Sequence, residues 1–371
     1  MAKFFFTQFQ NVELIVEGGK PSGGSVVQTM VWMTALRELN QEIYLANYEG
    51  DNRRVLNGYE WINVIPLYHP KKFKKKLVWF SYRFPKIFKI LRRVRPDFVY
   101  TSIPTWSAFY IGLICRLVGV RHIIRVATDH DVDKTLLPEF PKYQERLINA
   151  AYQMADMVLA QNQFQYKTLV TKFPKVKVVK IFNPIVLDKR FLTAKVEMKG
   201  YIAWLANFRY QKNLRLFYEI ALNLPYETFK VGGEPLFPLD EETDVYLGKL
   251  KSLHNVQFVG MIPRDGVLEF LQEAKFLLNT SRFEGFSNTF LESMIVGTPI
   301  LTTHAVNPDE IISGNELGCI FTDESDLKSI LNGLEFGDYL RMSNNCINYV
   351  IENHDHIKLG KRVLDILEVK Y

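Results

Sequence analysis

The sequence predicts an α/β protein of two domains, each built on a parallel sheet covered by helices, and three observations carry that reading. Short apolar runs alternate with segments of helical periodicity along nearly the whole chain, as crossover connections between parallel strands require. The pattern breaks at Asn183-Pro184, where proline restricts the residue before it, and restarts at Tyr201. At 371 residues the chain also exceeds one typical domain. The expected division is residues 1–185, a linker over 186–198, and residues 199–371.

Composition narrows the class. A hydrophobic content of 47% is that of a globular chain, and the opening MAKFFFTQF is too short for a signal peptide. No uncharged apolar run reaches the roughly 18 residues of a membrane span. Cys115, Cys319 and Cys346 lie far apart among apolar residues, the pattern of reduced, buried thiols in a cytoplasmic protein. The net charge of +6 conceals an asymmetry: residues 1–185 carry 27 Lys and Arg against 14 Asp and Glu, the remainder 19 against 26. Only the first domain is therefore expected to meet an anionic surface.

Taken in order, residues 3–9 form an aromatic strand, VEGGKPSGGSVVQ a loop with two glycine pairs, and residues 26–39 a helix with Val27, Met30, Val31, Thr34 and Ala35 at helical spacing. No G-x-G-x-x-G opens this unit, so the nicotinamide-dinucleotide fingerprint is missing. Strands at 42–46 and 64–67 precede an unusual segment, residues 69–96, which contains no acidic residue. In it Phe73, Trp79, Phe80, Tyr82, Phe84 and Phe88 are interleaved with Lys and Arg, a mixture that suits the face of an anionic bilayer. Nucleic acid is the rival partner, and no nucleic-acid module signature accompanies the segment. A helix with basic residues in water and aromatic rings in the core accounts for the same letters.

Beyond it, a strand at 97–100, a helix over 106–117 and the strand and loop RHIIRVATDHDVD continue the alternation. Asp129, Asp131 and Asp133 alternate, but an EF-hand would need glycine and glutamate where Lys134 and Phe140 stand. An Asp-x-Asp pair holding Mn²⁺ or Mg²⁺ for a diphosphate is the other metal reading; amides and basic residues further on supply that charge, so no metal is assigned. Helices over 141–154 and 163–172 flank the strand MVLAQ. The second domain opens on YIAWLANF, and Arg209 and Lys212 then lead into a helix whose positive end they oppose unless an anion binds there. Strands TFKVGGEP and NVQFVGMIP, a helix over 265–274, the strands PILTTH and CIFT, and the closing helices complete it.

The most informative stretch is residues 281–300, SRFEGFSNTFLESMIVGTPI. AKFLLNTS ahead of it reads as a buried parallel strand. Ser287, Asn288 and Thr289 are good N-caps, Leu291, Met294 and Ile295 repeat at helical spacing, and Gly297 and Pro299 supply the stop. Glu284 then sits in the loop, and Glu292 falls on the stripe of Asn288, facing the loop side. Helix amides attract a phosphate, Gly285 lets the backbone approach one, and the two carboxylates can accept hydroxyls on either side. A nucleotide sugar has that layout: ribose, diphosphate, hexose.

With seven residues between Glu284 and Glu292 inside EGFSNTFLESMIVGTPI, the chain resembles the retaining family 4 glycosyltransferases of GT-B fold, two Rossmann-like domains with parallel sheets facing across a cleft. The resemblance implies that Glu284 faces the donor sugar, that Glu292 holds the ribose hydroxyls, and that Gly285, Phe286, Ser287, Asn288 and Thr289 meet the diphosphate or sugar. It implies further that Gly23 and Gly24 lie near the donor phosphates, that Gly260, Met261 and Ile262 meet the base, that His130 faces the reacting sugar, and that Lys212 grips the diphosphate. Where the family carries an arginine this chain has Asn207, with Arg209 two residues on; either Arg209 substitutes with a shifted geometry or the grip on the diphosphate is weaker. The last helix is expected to cross back to the first domain, which would bind the acceptor. The implied activity is retaining transfer of a hexose or N-acetylhexosamine from a nucleotide-diphosphate sugar to a lipid-linked or polysaccharide acceptor in bacterial cell-surface glycan synthesis. No metal or other cofactor is implied, and residues 69–96 would hold the enzyme to the inner face of the membrane. The alternatives are a nucleotide-sugar 2-epimerase and a non-catalytic sugar- or lipid-binding protein.

Overall fold

The computed structural model describes residues 1–20, 23–71, 79–134 and 141–371. The chain forms two compact units, Met1–Pro184 together with His356–Tyr371, and Ile185–Asp355. Residues 186–198 fall within the second unit, and the final helix His356–Ile366 within the first.

The first unit is a seven-stranded, all-parallel sheet of β1 (Lys3–Phe6), β2 (Glu42–Tyr48), β3 (Ile62–Tyr68), β4 (Phe98–Ser102), β5 (Arg121–Arg125), β6 (Met157–Ala160) and β7 (Val178–Lys180), in the order β3-β2-β1-β4-β5-β6-β7. Both faces are covered, which is why its strands read as unbroken apolar runs. In β1, Phe4 and Phe6 point to one face and Phe5 to the other, all nearly inaccessible. Phe4 stacks on Phe98 with ring centres 4.8 Å apart, and their face is closed by Trp32, Met33 and Leu36 of helix Gly24–Glu38 and by Leu359, Val363 and Leu364 of the final helix. Each such aromatic is worth about 3–5 kcal/mol against alanine.

Some of the buried polar groups of this unit tie its elements together. Asn183 of the Asn-Pro break accepts a hydrogen bond from the fully buried Arg125, whose guanidinium also lies 5.4 Å from the centre of the Trp32 ring. Gln28 donates to the Pro184 carbonyl at 2.8 Å. The Asn-Pro break thus ends the first unit by docking into it. Burial pushes the His122 imidazole down to about 3, so it is neutral and shares a 2.9 Å hydrogen bond with Thr101.

Of the basic and aromatic segment, residues 72–78 lie outside the described residues. A π-helical turn Trp79–Arg83 runs into helix Phe84–Val94, with Pro85 in its first turn. That helix buries Ile87 and Leu91 and exposes Lys89, Arg92 and Arg93. Lys86 pairs with Glu49.

The second unit repeats the plan with six parallel strands: β8 (Ile202–Leu205), β9 (Phe229–Gly232), β10 (Val256–Gly260), β11 (Phe276–Asn279), β12 (Ile300–Thr303) and β13 (Gly318–Phe321). Their order is β10-β9-β8-β11-β12-β13. Ile202, Trp204, Phe276, Leu278 and Leu301 pack against Phe217 and Ile220 of helix Leu214–Asn223. The helix expected over 265–274 begins later, as Val267–Glu273, because a 3-10 turn Arg264–Gly266 precedes it and glycine is a poor helix former.

Candidate active site

In a parallel sheet the chain runs outward in both directions from one point, and ligands bind where the loops diverge beyond the carboxyl ends of the strands. In the second unit that point lies between β8 and β11. The loop after β8 carries Asn207, Arg209 and Lys212; the loop after β11 carries Ser281 to Ser287.

These two loops are tied together by their own polar groups. Trp204 Nε1 donates to Thr280 Oγ1 at 3.0 Å, and Thr280 Oγ1 donates to the Lys212 carbonyl at 2.8 Å. The Arg282 amide donates to the Gln211 carbonyl at 2.8 Å, and Gln211 Nε2 donates to the Phe283 carbonyl at 2.7 Å. Asn213, at φ +54°, ends the 3-10 turn Tyr210–Lys212 and caps helix Leu214–Asn223. Lys212 therefore projects from a constrained turn.

Glu284 meets it there. Its carboxylate is ion-paired with Lys212, accepts from Ser281 Oγ at 3.0 Å, and accepts from Gln211 Nε2 at 3.3 Å. The side chains are 10% exposed for Glu284 and 14% for Lys212. Arg209, two residues past the position of Asn207, is exposed and forms no ion pair among the described residues.

Past Glu284 the backbone turns through a buried Gly285 into helix Asn288–Ile295. The ring of Phe286 is turned inward, 6% exposed, with its centre 6.2 Å from Phe290 and 5.2 Å from His354. Ser287 Oγ bonds Thr289 Oγ1 at 2.8 Å and does not cap the helix, and no acid stands in the first turn. Phe290, Leu291, Met294 and Ile295 are fully buried, and Glu292 is buried among them. A carboxylate in so apolar a helix requires a partner. Arg264 of the 3-10 turn after β10 supplies an ion pair.

At the end of β10, Gly260 adopts φ +74°, Met261 is 60% exposed, and Ile262 packs down on Gly232, where a Cβ would stand 2.6 Å from Ile262 Cδ1. At Gly233, φ +126°, a Cβ would meet the Ala206 carbonyl oxygen at 2.0 Å. That glycine pair lets the loop after β8 lie against the end of β9.

Gly23, Gly24 and His130 belong to the first unit. Gly23, at φ +88°, precedes helix Gly24–Glu38, which has no side-chain cap and no acid in its first turn. His130 lies on a 3-10 turn beyond β5, with Nδ1 2.7 Å from Thr128 Oγ1 and Nε2 3.6 Å from Asp131 Oδ1. The neighbouring aspartates are engaged by the protein itself. Asp131 Oδ2 accepts from the amides of Ala127 at 3.0 Å and Thr128 at 2.9 Å, and Asp129 Oδ1 accepts from Asn162 at 2.9 Å and Gln165 at 2.8 Å.

Residues 22–189 match the family model described as Glycosyltransferase Family 4, and residues 199–334 the model described as Glycosyl transferases group 1. The chain belongs to the family 4 glycosyltransferases. No curated protein matches the sequence. Solved structures agree on the GT-B fold of this glycosyltransferase. The Anabaena protein HepE, in complex with UDP and glucose, is 14% identical with a TM-score of 0.75, over 99% of this chain and 100% of its own. Sucrose-phosphate synthase from Thermosynechococcus elongatus is 13% identical with a TM-score of 0.78, over 99% and 98%. S. aureus TarM, in complex with Fondaparinux, alpha-GlcNAc-glycerol and UDP, is 11% identical with a TM-score of 0.73, over 98% and 99%.

Gln211, Thr280, Ser281 and Arg264 were not candidates from the sequence of the glycosyltransferase, although each touches one of its site residues or ties their loops. Gln211 and Ser281 are short-range neighbours of Lys212 and Glu284, a signal present in the sequence. Arg264 has no such signal: it is 28 positions from its partner.

Proposed function

We propose that this glycosyltransferase moves a hexose or N-acetylhexosamine from a nucleotide-diphosphate sugar to a lipid-linked or polysaccharide acceptor, with retention at the anomeric carbon, in bacterial cell-surface glycan synthesis. The observation that carries the reading is the Glu284 carboxylate held by Lys212, Ser281 and Gln211 where the loops of β8 and β11 diverge, beside a helix bearing Glu292. UDP and UDP-glucose bound to HepE support a nucleotide-sugar donor.

In this reading Glu284 accepts from hydroxyls of the donor sugar and fixes its orientation. Lys212, Arg209 and the amides from Gly285 to Thr289 take up the charge of the departing diphosphate, so catalysis is positioning and electrostatics. Glu292 accepts from the ribose hydroxyls, and Gly260 to Ile262 meet the base. With three donors on it, Glu284 is set to orient and not to attack, which favours return of the acceptor on the face the diphosphate leaves. Those cations and amides balance the diphosphate, so the reaction is proposed to be metal-independent. Of the alternating aspartates, Asp131 accepts from loop amides and Asp129 from side-chain amides.

The test is release of nucleoside diphosphate from a panel of nucleotide sugars with candidate acceptors, with and without chelator. Acceptor-dependent release that survives chelation is expected. Epimerised donor without acceptor would instead establish the 2-epimerase, and loss of activity restored by Mn²⁺ would overturn metal independence.

The basic surface of the first unit is proposed to bring the enzyme to the anionic inner face of the membrane. Support comes from Lys89, Arg92 and Arg93 exposed on one helix and five further lysines just ahead of it. Among the described residues no helix is long and apolar enough to cross a membrane. Replacing Lys71, Lys72, Lys74, Lys75 and Lys76 by Ser is expected to reduce co-sedimentation with phosphatidylglycerol vesicles at low salt; unchanged sedimentation would remove the membrane role.

A further inference from the structure

Glu292 is the one acid on helix Asn288–Ile295, and its side chain is 5% exposed among fully buried apolar neighbours. An ionised carboxylate there is tolerated only with strong partners. Its two oxygens are treated differently. Oε1 is taken by the Arg264 guanidinium, whereas Oε2 meets no donor among the described residues and is not sealed from solvent. One oxygen is anchored and the other is open.

The anchor is well placed. Arg264 begins a 3-10 turn closed by the Gly266 amide on the Pro263 carbonyl at 3.0 Å. The floor of that turn is fixed by Ile262, which fills the space a Cβ on Gly232 would need. Arg264 is 48% exposed, so the guanidinium stands at the rim with the carboxylate beneath it. The single charge-assisted hydrogen bond from Arg264 Nη1 fixes Oε1 and limits how the carboxylate can rotate.

We propose that Arg264 is a positioning residue for the nucleotide ribose: by holding Oε1 of Glu292 it aims the open Oε2 at a vicinal hydroxyl pair. This rests on the reading in which Glu292 accepts from the ribose, and it adds a residue that acts through the carboxylate without touching the sugar. Two consequences distinguish it from a structural ion pair. Affinity should depend on Arg264 only for ligands that carry the hydroxyls, and the effect should vanish once Glu292 no longer has a carboxylate to aim.

The experiment measures, by calorimetry, binding of UDP, ADP and GDP, each beside its 2′,3′-dideoxy counterpart. The proteins are the wild type, Glu292→Gln, Arg264→Ala, Arg264→Lys and the Arg264→Ala/Glu292→Gln double variant. For the tightest ribonucleotide, Arg264→Ala is expected to weaken binding about tenfold, the scale of one charge-assisted hydrogen bond. The dideoxy nucleotide should change less than about twofold, Arg264→Lys should recover part of the loss, and the double variant should bind no worse than Glu292→Gln alone. The donor KM of Arg264→Ala should rise by about the same factor as its ribonucleotide dissociation constant, the signature of lost ground-state binding. If Glu292→Gln weakens binding while Arg264→Ala leaves it unchanged or tightens it, the positioning role fails and the ribose reading stands. If Glu292→Gln has no effect, or no nucleotide binds the wild type, the ribose reading itself fails and takes the inference with it.

Discussion

The carboxyl-end rims of the two sheets use acids in opposite ways. On the six-stranded sheet, Glu284 and Glu292 are answered by cations from other loops, Lys212 and Arg264. On the seven-stranded sheet, the hydrogen bonds to Asp129 Oδ1 and Asp131 Oδ2 come from neutral donors, two loop amides and two side-chain amides. The difference is one of exchangeability. Lys212 can turn to a phosphate while Glu284 turns to a hydroxyl, and each group keeps a partner, whereas Arg264 can keep Oε1 of Glu292 and leave Oε2 open. Amides that hold a loop shape have no equivalent second partner. On the proposed donor-site reading, the rim of the six-stranded sheet trades contacts with its ligand, and that of the seven-stranded sheet keeps its own shape.

Removing acids from each rim sharpens this contrast. Glu284→Gln keeps the volume and loses the charge; turnover is expected to fall about 10²–10³-fold, the scale of losing one preorganised electrostatic group, with the melting temperature little changed. Steady-state rates at saturating donor check this, and a loss under about fivefold would mean that Glu284 does not face the reacting sugar. Asp131→Ala should do the reverse. Two partly buried amides lose their acceptor, which costs about 2 kcal/mol and lowers the melting temperature, while donor affinity stays within about twofold. A variant that melts like wild type but no longer binds donor would show that the second rim also trades contacts.

Much of the fold was legible because buried parallel strands are continuous apolar runs, and those at Phe98–Ser102, Ile202–Leu205 and Phe276–Asn279 stand out at once. Glu284 and Glu292 were legible for the converse reason, as charges inside an apolar string. Their partners were not. Gln211 and Lys212 reach Glu284 from more than 70 positions away, brought there by strand order and not by local periodicity. Phe286 illustrates a second limit: the family pattern places the residue near the ligand, but only packing against Phe290 and His354 shows that its ring faces the core and its backbone alone is left for the site. The late start of the helix at Val267 follows from Gly266, whose cost to a first turn the apolar spacing does not register.

The final helix has an effect on biogenesis. Leu359, Val363 and Leu364 close the face of β1 and β4, and Gly360 fits so tightly against helix Gly24–Glu38 that a Cβ would stand 2.8 Å from Leu39. The ribosome must therefore make all of Ile185–Asp355 before the first unit receives its last piece. At about 5–20 residues per second that delay is on the order of ten seconds or more. During it the part of that face which Leu359, Val363 and Leu364 cover stays open beside Trp32, a surface that chaperones can occupy and that a shortened transcript would never conceal.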